Sequence, residues 1–358
     1  MSGRGEILGL DRRRAALTFG LALLLAIGAT TIIGRIARFE ELVDALRHVS
    51  KPWFAICLAG LACSYTGYVL GYREVARMHG GPRLPLWTVA RVVGLGFGAN
   101  VLGSAAGGLA LDFWALRRAG VSGHEAARRV LGFNTLEWTL LGAIATAAAV
   151  LALAGRGAGA PLAMTLSWIV VYPLCVVAAA FASSPRRAER LTNVEEPEPR
   201  PSGRDLGEWL RRLGVKVKKL LADAIGGVVV TRHLVTHPRE HPAAVAGFAV
   251  YWLGHLLTLW AAVSAFTGNT HLALATLVLA FATGYAAAML PLPAGGSGGI
   301  EAALAFSLHA VGVPLAAALL GTVVYRFVTF WLPLLPALAL VPALPALNDE
   351  LRRVKRAA

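Results

Sequence analysis

Charge is scarce in this chain, and acid is scarcer than base. Only 15% of its 358 residues are charged, against about 25% in an ordinary soluble domain. Hydrophobic residues make up 56%, and the mean hydropathy is +0.62. A soluble globular fold is excluded by that balance. Cysteine is nearly absent: Cys57, Cys63 and Cys175 are the only three, each sits in an apolar segment, and none forms a CxxC pair. A disulfide framework and a cysteine-based zinc site are therefore not expected. HExxH and paired-carboxylate patterns are missing too. The one Gly-rich run, GGSGG, lacks the Lys-Ser/Thr that a phosphate loop needs. We expect no catalytic residues, no metal and no cofactor: a transporter-like chain in place of an enzyme.

What is present is a series of apolar runs of membrane-spanning length, roughly 20 residues each. The reading is an all-α, polytopic integral membrane helical bundle with about 8 apolar segments. Ala15 to Gly34 is a first span behind Arg12, Arg13 and Arg14, retained as an anchor because no small-x-small cleavage site ends it. Arg35 to Lys51 reads as an interfacial helix. Pro52 to Tyr72, His124 to Ala154, Pro161 to Phe181, Ala243 to Phe266 and His271 to Leu290 read as spans. Pro314 to Leu347 is apolar throughout and reads as one kinked helix or two short ones.

Four regions follow from this punctuation. Residues 1–183 form a first membrane half, and 184–241 a basic polar linker. Residues 242–347 form a second half, and 348–358 a basic tail. The linker begins Pro- and charge-rich and continues as an amphipathic helix from Leu206 to Leu221. Leu206, Leu210, Leu213 and Val217 lie on one side of it, and Lys216, Lys218 and Lys219 supply charge. The net charge of +14 gathers at the ends and in the linker. That placement suits anionic lipid headgroups and topology signals better than nucleic acid, and no nucleic-acid partner is expected. The positive-inside rule asks that both termini and the linker share the cytoplasmic side. They can do so only if each half crosses an even number of times. The spacing of His233, His237 and His241 suggests imidazoles on one helical face. Pro238 and Pro242 interrupt that face, and no nearby acid or cysteine completes a zinc set in the sequence.

Two stretches break the apolar pattern where breaks are costly. Leu84 to Leu111 carries six glycines with Arg91 and Asn100, then meets Asp112. Pro291 to Gly312 carries two prolines with Gly295, Gly296, Gly298 and Gly299, then meets Glu301. Non-helical backbone at membrane depth survives only where protein or a wet cavity satisfies it. Both read as broken or re-entrant helices lining a cavity. The stretches are also related to each other. Gly120-Val121 and Gly312-Val313 recur 192 positions apart, and each break is followed by a long helix holding a charge, Glu137 or Arg326. Two pseudo-repeats with paired interrupted segments point to a transport site. A charge inside a bilayer costs about 2.5–3.5 kcal/mol, so each one is a functional candidate. The proposed substrate path holds Arg326, Glu301, Tyr325, Gly295, Gly296, Gly298, Gly299, Asp112, Asn100, Glu137 and Arg91. Asn134 and His255 are polar supports. The arginines suit a phosphate or carboxylate headgroup; the acids supply counter-charge or a proton site. The competing reading of these charges is a set of structural ion pairs.

The segment from Pro293 through Gly295-Gly296, Gly299, Glu301, Gly312-Val313, Tyr325-Arg326 and Trp331-Leu332-Pro333 resembles the membrane domain of the lysylphosphatidylglycerol synthase/flippase family. Asn100, Gly107-Gly108, Asp112 and the helix holding Glu137 extend the resemblance to the first half, over about residues 15 to 347. Ile300 stands where that family often has Val, and the charged linker is longer than its usual counterpart. The resemblance implies a domain of the cytoplasmic (inner) membrane that moves lipids or lipid-linked headgroups between leaflets. Its implied partners are membrane lipids, with a separate synthase or a second copy of the chain. No aminoacyl-transfer domain follows Ala358, so the expectation is that this chain does not make an aminoacylated lipid itself. The alternative role is a membrane scaffold for a lipid- or glycan-modifying enzyme.

Overall fold

The computed structural model describes residues 51–103, 105–156, 159–184, 206–267, 272–290 and 296–357, with isolated positions between 17 and 31. Most of the expected first span, the interfacial helix up to its last residue, the Pro-rich start of the linker and Gly295 fall outside these residues. Among the described residues the chain is helical, with no strand. The helices are numbered here from Pro52. They are α1 (Pro52–Ala76), α2 (Leu86–Gly103), α3 (Ala105–Arg118), α4 (Gly123–Leu151), α5 (Leu162–Ala182) and α6 (Leu206–Thr236). The second half adds α7 (Pro242–Thr267), α8 (Leu274–Tyr285), α9 (Gly299–Ala310), α10 (Leu315–Arg326), α11 (Leu334–Leu340) and α12 (Leu344–Ala357).

Local chemistry sets the helix ends. Pro52 and Pro242 open α1 and α7, where a missing N–H costs nothing. The Ser122 hydroxyl accepts the Glu125 N–H at 3.3 Å, starting α4 as a Ser-x-x-Glu cap. Four helices, α1, α4, α5 and α7, are long and apolar enough to cross a membrane. A fifth such helix runs from Leu315 to Arg356 as α10 through α12. The apolar stretch after Pro314 is thus one long kinked helix. Pro333 cannot donate into it, and a π-turn over Phe327–Trp331 precedes that proline. There the Leu332 N–H reaches back to the Phe327 carbonyl at 2.8 Å.

Each half holds a span, a hairpin and a span in that order, and α5 follows them in the first half. In the first hairpin α2 and α3 lie antiparallel. A Cβ on Gly107 would come within 2.3 Å of the Ala99 carbonyl oxygen, so the arms touch through bare backbone. In the second, α8 and its 3-10 extension, Ala286–Met289, fold back on α9, with Gly284 against the Leu304 backbone. The stretch His271 to Leu290, expected as a span, is therefore one arm of a hairpin. Its helix is too short to cross, and it packs against α9. The two hairpins end alike. Gly120 (φ +102°) and Gly312 (φ +97°) take left-handed backbone. Val121 and Val313 each donate five residues back, to Leu116 at 3.0 Å and Leu308 at 3.1 Å. The Gly-Val repeat in the sequence is a pair of matching helix stops.

The equivalent spans α1 and α7 pack antiparallel at close range. A Cβ on Gly67 would stand 2.4 Å from the Gly247 oxygen, and one on Gly254 would stand 2.5 Å from the Gly60 oxygen. Small residues let the backbones approach, as expected where no hydrophobic effect drives association. Antiparallel equivalents mean that the two halves are inverted. The first hairpin enters from the side holding Arg73, Arg77, Arg117, Arg118 and the C-terminal basic residues. The second enters from the opposite side. Both hairpins return to the side they entered. The linker helix is longer than expected and continues to Thr236. Its second part lies along the start of α4, with the Thr231 hydroxyl donating to the Gly132 carbonyl at 2.9 Å.

Candidate functional site

Arg326 closes α10, one residue before the π-turn. Its side chain is 6% exposed. The Nε donates to Glu301 Oε1 at 2.9 Å. The second oxygen of Glu301 accepts the Gly298 N–H at 2.7 Å, at the start of α9. Glu301 therefore does two things. It satisfies an N-terminal donor of a helix that begins inside the protein, and it holds the arginine. The guanidinium lies 4.2 Å from the centre of the Phe330 ring. Its Nη2 is buried and has no hydrogen-bond partner among the described residues.

The first hairpin solves the same backbone problem with a neutral group. Asn100, near the end of α2, accepts the Gly108 N–H at 2.9 Å across the hairpin. Asp112 is buried one turn further on. It receives the Tyr68 hydroxyl at 3.4 Å, and Tyr72 donates to its backbone carbonyl at 3.0 Å. No described cation pairs with its carboxylate. On α4, Glu137 is also buried and faces Tyr251, while its backbone carbonyl takes the Trp252 indole N–H at 2.9 Å.

A cavity of about 540 Å³ opens where the hairpin ends meet. From the first half Asn100, Gly108, Asn134 and Glu137 line it. From the second half Gly296, Ile300 and Arg326 do so, and Phe97, Trp138, Tyr68, Tyr251 and Tyr285 wall it with rings. One wall is therefore cationic and the facing one carries amides and a carboxyl. The volume lies within the range of a small-molecule or headgroup site, roughly 300–1,000 Å³.

The sequence-derived candidates divide into three sets. Arg326, Glu137, Asn100 and Gly296 line this one cavity. Glu301, Gly298, Gly299, Asp112 and Tyr325 stand behind the lining. The Tyr325 hydroxyl meets His255 Nδ1 at 2.7 Å, and both rings are buried. Arg91 is elsewhere. It pairs with Glu350 on α12 and borders a separate apolar groove with Trp87 and Pro336. Its expected place beside Arg326 is not observed, because α2 carries Arg91 near the basic face and Asn100 near the hairpin end. The three cavity tyrosines and Trp138 were not singled out from sequence. Their signal is hydroxyl- or indole-bearing aromatics inside apolar segments; Tyr68, Trp138 and Tyr251 lie within spans, where interfacial anchoring does not explain them.

Two inverted span–hairpin–span units, with a polar cavity at the hairpin ends, make this a polytopic helical membrane protein. The family is shown by comparison with known sequences. Residues 15–337 match the lysylphosphatidylglycerol synthase TM region, and the chain belongs to that family. No curated protein sequence matches the chain.

Proposed function

We propose that this chain is a lipid translocase of the cytoplasmic membrane, carrying a phosphate- or carboxylate-bearing headgroup through the cavity while the acyl chains stay in the bilayer. One observation carries the reading: Glu301 holds Arg326 at Nε, and the Arg326 Nη2 is buried at the cavity without a partner among the described residues. A fixed guanidinium with a free donor is suited to an anionic oxygen. Asn100, Asn134 and Glu137 face it and suit the hydroxyls or amine of the same headgroup. Inverted repeats with interrupted helices support alternating access, each hairpin screening the cavity from its own side. The positive-inside rule makes the basic face cytoplasmic. Movement would run downhill or with an ion gradient, Glu137 serving as the proton site.

The test is reconstitution into liposomes with a fluorescent anionic or lysyl phospholipid, scored by quenching from outside. Fast loss of protected signal is expected for the wild type, and none for Arg326→Ala or Glu301→Gln inserted at equal density. Normal translocation by both variants would overturn the site assignment.

A second reading, docking of a separate enzyme at the basic face, is favoured by one feature. Arg117 and Arg118 of α3 meet Arg352, Lys355 and Arg356 of α12 around a pocket of about 430 Å³. Charge reversal at Arg352 and Arg356 would damage that role and leave translocation intact.

A further inference from the structure

The histidines at the basic face gather in a way their spacing does not show. Helix α6 ends at Thr236, and a turn closed by the Glu240 N–H on the His237 carbonyl at 3.1 Å brings the chain back towards α7. That turn carries His241 towards His233, ring centres 5.7 Å apart. It also delivers Glu240, an acid that the helical reading placed on no common face. His79 arrives from the turn after α1 in left-handed backbone (φ 47°), with its ring 5.2 Å from that of His233. His237 stacks on His233 at 4.6 Å.

We propose that His233, Glu240 and His241 bind a divalent transition metal of the zinc class, with Glu74 orienting His241. One ligand atom from each of the three lies within 4.8 Å of the other two. A single ion bonded at about 2.0–2.2 Å holds its ligands some 3–4 Å apart. A small rotation of the exposed Glu240 closes the set. The orientation of His241 is already provided. Its Nδ1 lies 3.1 Å from Glu74 Oε1, and Glu74 is itself buried and held by the Arg77 Nε at 2.8 Å. A carboxylate on Nδ1 fixes the proton there and leaves the Nε2 lone pair for a metal, the outer-sphere arrangement common to metal-ligating histidines. Two imidazoles and one carboxylate suit zinc, cobalt, nickel or copper and not magnesium or calcium. His79 or water would take the fourth position. The ion would clip the turn after α1, the end of the linker helix and the start of α7 into one unit. The idea is independent of lipid transport.

The experiment uses tag-free, chelator-stripped full chain in detergent. Zn²⁺ is titrated by calorimetry, and Co²⁺ by visible absorption. One saturable equivalent is expected, with cobalt bands of a four- or five-coordinate site. His233→Ala and His241→Ala should each weaken binding at least about 100-fold, and Glu74→Gln by about 10–100-fold. Zn²⁺ should raise the melting temperature of the wild type and not that of the His233→Ala/His241→Ala variant. Glu240→Gln changes an exposed turn residue, so its loss of affinity cannot be ascribed to misfolding. Absence of saturable binding in the wild type, or binding unchanged in the double histidine variant and in Glu240→Gln, would overturn the proposal.

Discussion

The two hairpins share a backbone plan and differ in how they handle charge. Each packs its arms through glycine, each ends in a left-handed glycine followed by valine, and each buries an acid. In the second hairpin that acid holds a cation, Glu301 to Arg326. In the first, Asp112 meets tyrosine hydroxyl and no described cation. The hairpin-end donor is likewise taken by a carboxylate in one and by the Asn100 amide in the other. The duplicated architecture thus separates from the chemistry placed on it. One half contributes a fixed guanidinium and the other an amide and carboxyl wall. The cavity between unlike halves presents two unlike walls.

The comparison breaks most readily at Glu301. Glu301→Gln leaves Arg326 buried without its counter-charge, a change worth about 3–5 kcal/mol. We expect a large fall in melting temperature, whereas Asp112→Asn shifts it far less. Equal shifts would mean that the hairpins are electrostatically alike. Restoring neutrality in Glu301→Gln/Arg326→Met should recover stability without recovering translocation.

Gly67→Leu comes next. Its side chain would meet the Gly247 and Tyr251 backbone, and overpacking of this kind costs about 1–3 kcal/mol. Reduced accumulation in the membrane and a lower melting temperature are expected. A variant as stable as the wild type would contradict the close α1–α7 contact. Asn100→Ala removes one cap, worth about 1 kcal/mol, along with one cavity amide. A small stability loss with a several-fold slower liposome signal is expected. Arg91→Gln should have the smallest effect on transport, within about twofold, because its pair with Glu350 is partly exposed and such pairs contribute roughly 0–1 kcal/mol. Abolished translocation in that variant would return Arg91 to the substrate path.

Much of the site was legible because a bilayer penalises what the site requires. Glycine and proline breaks, and charges within apolar runs, stand out against a uniform background. Glu301 and Arg326, 25 residues apart, form the pair that their spacing allowed. Arg91 shows the limit of the same argument. It is as conspicuous in the sequence as Arg326, but it sits at the other end of its helix arm and finds Glu350 there. The histidines show the opposite limit. Their helical spacing was a poor guide because α6 stops at Thr236, and their proximity depends on a turn and on His79 from another segment.

The sequence by itself determined a helical membrane bundle, two interrupted segments, and the acid and arginine that the second segment brings together. Those are local consequences of hydropathy, backbone chemistry and the cost of buried charge. Only the tertiary structure decided that both interrupted segments return to their own side, that the halves are inverted, and that Asn100 and Glu137 share a cavity with Arg326. The reason is that return, inversion and convergence are set by which helix packs on which. Close contacts such as Gly67 on Gly247 and Gly284 on Leu304 specify that packing, and neither partner reveals it alone.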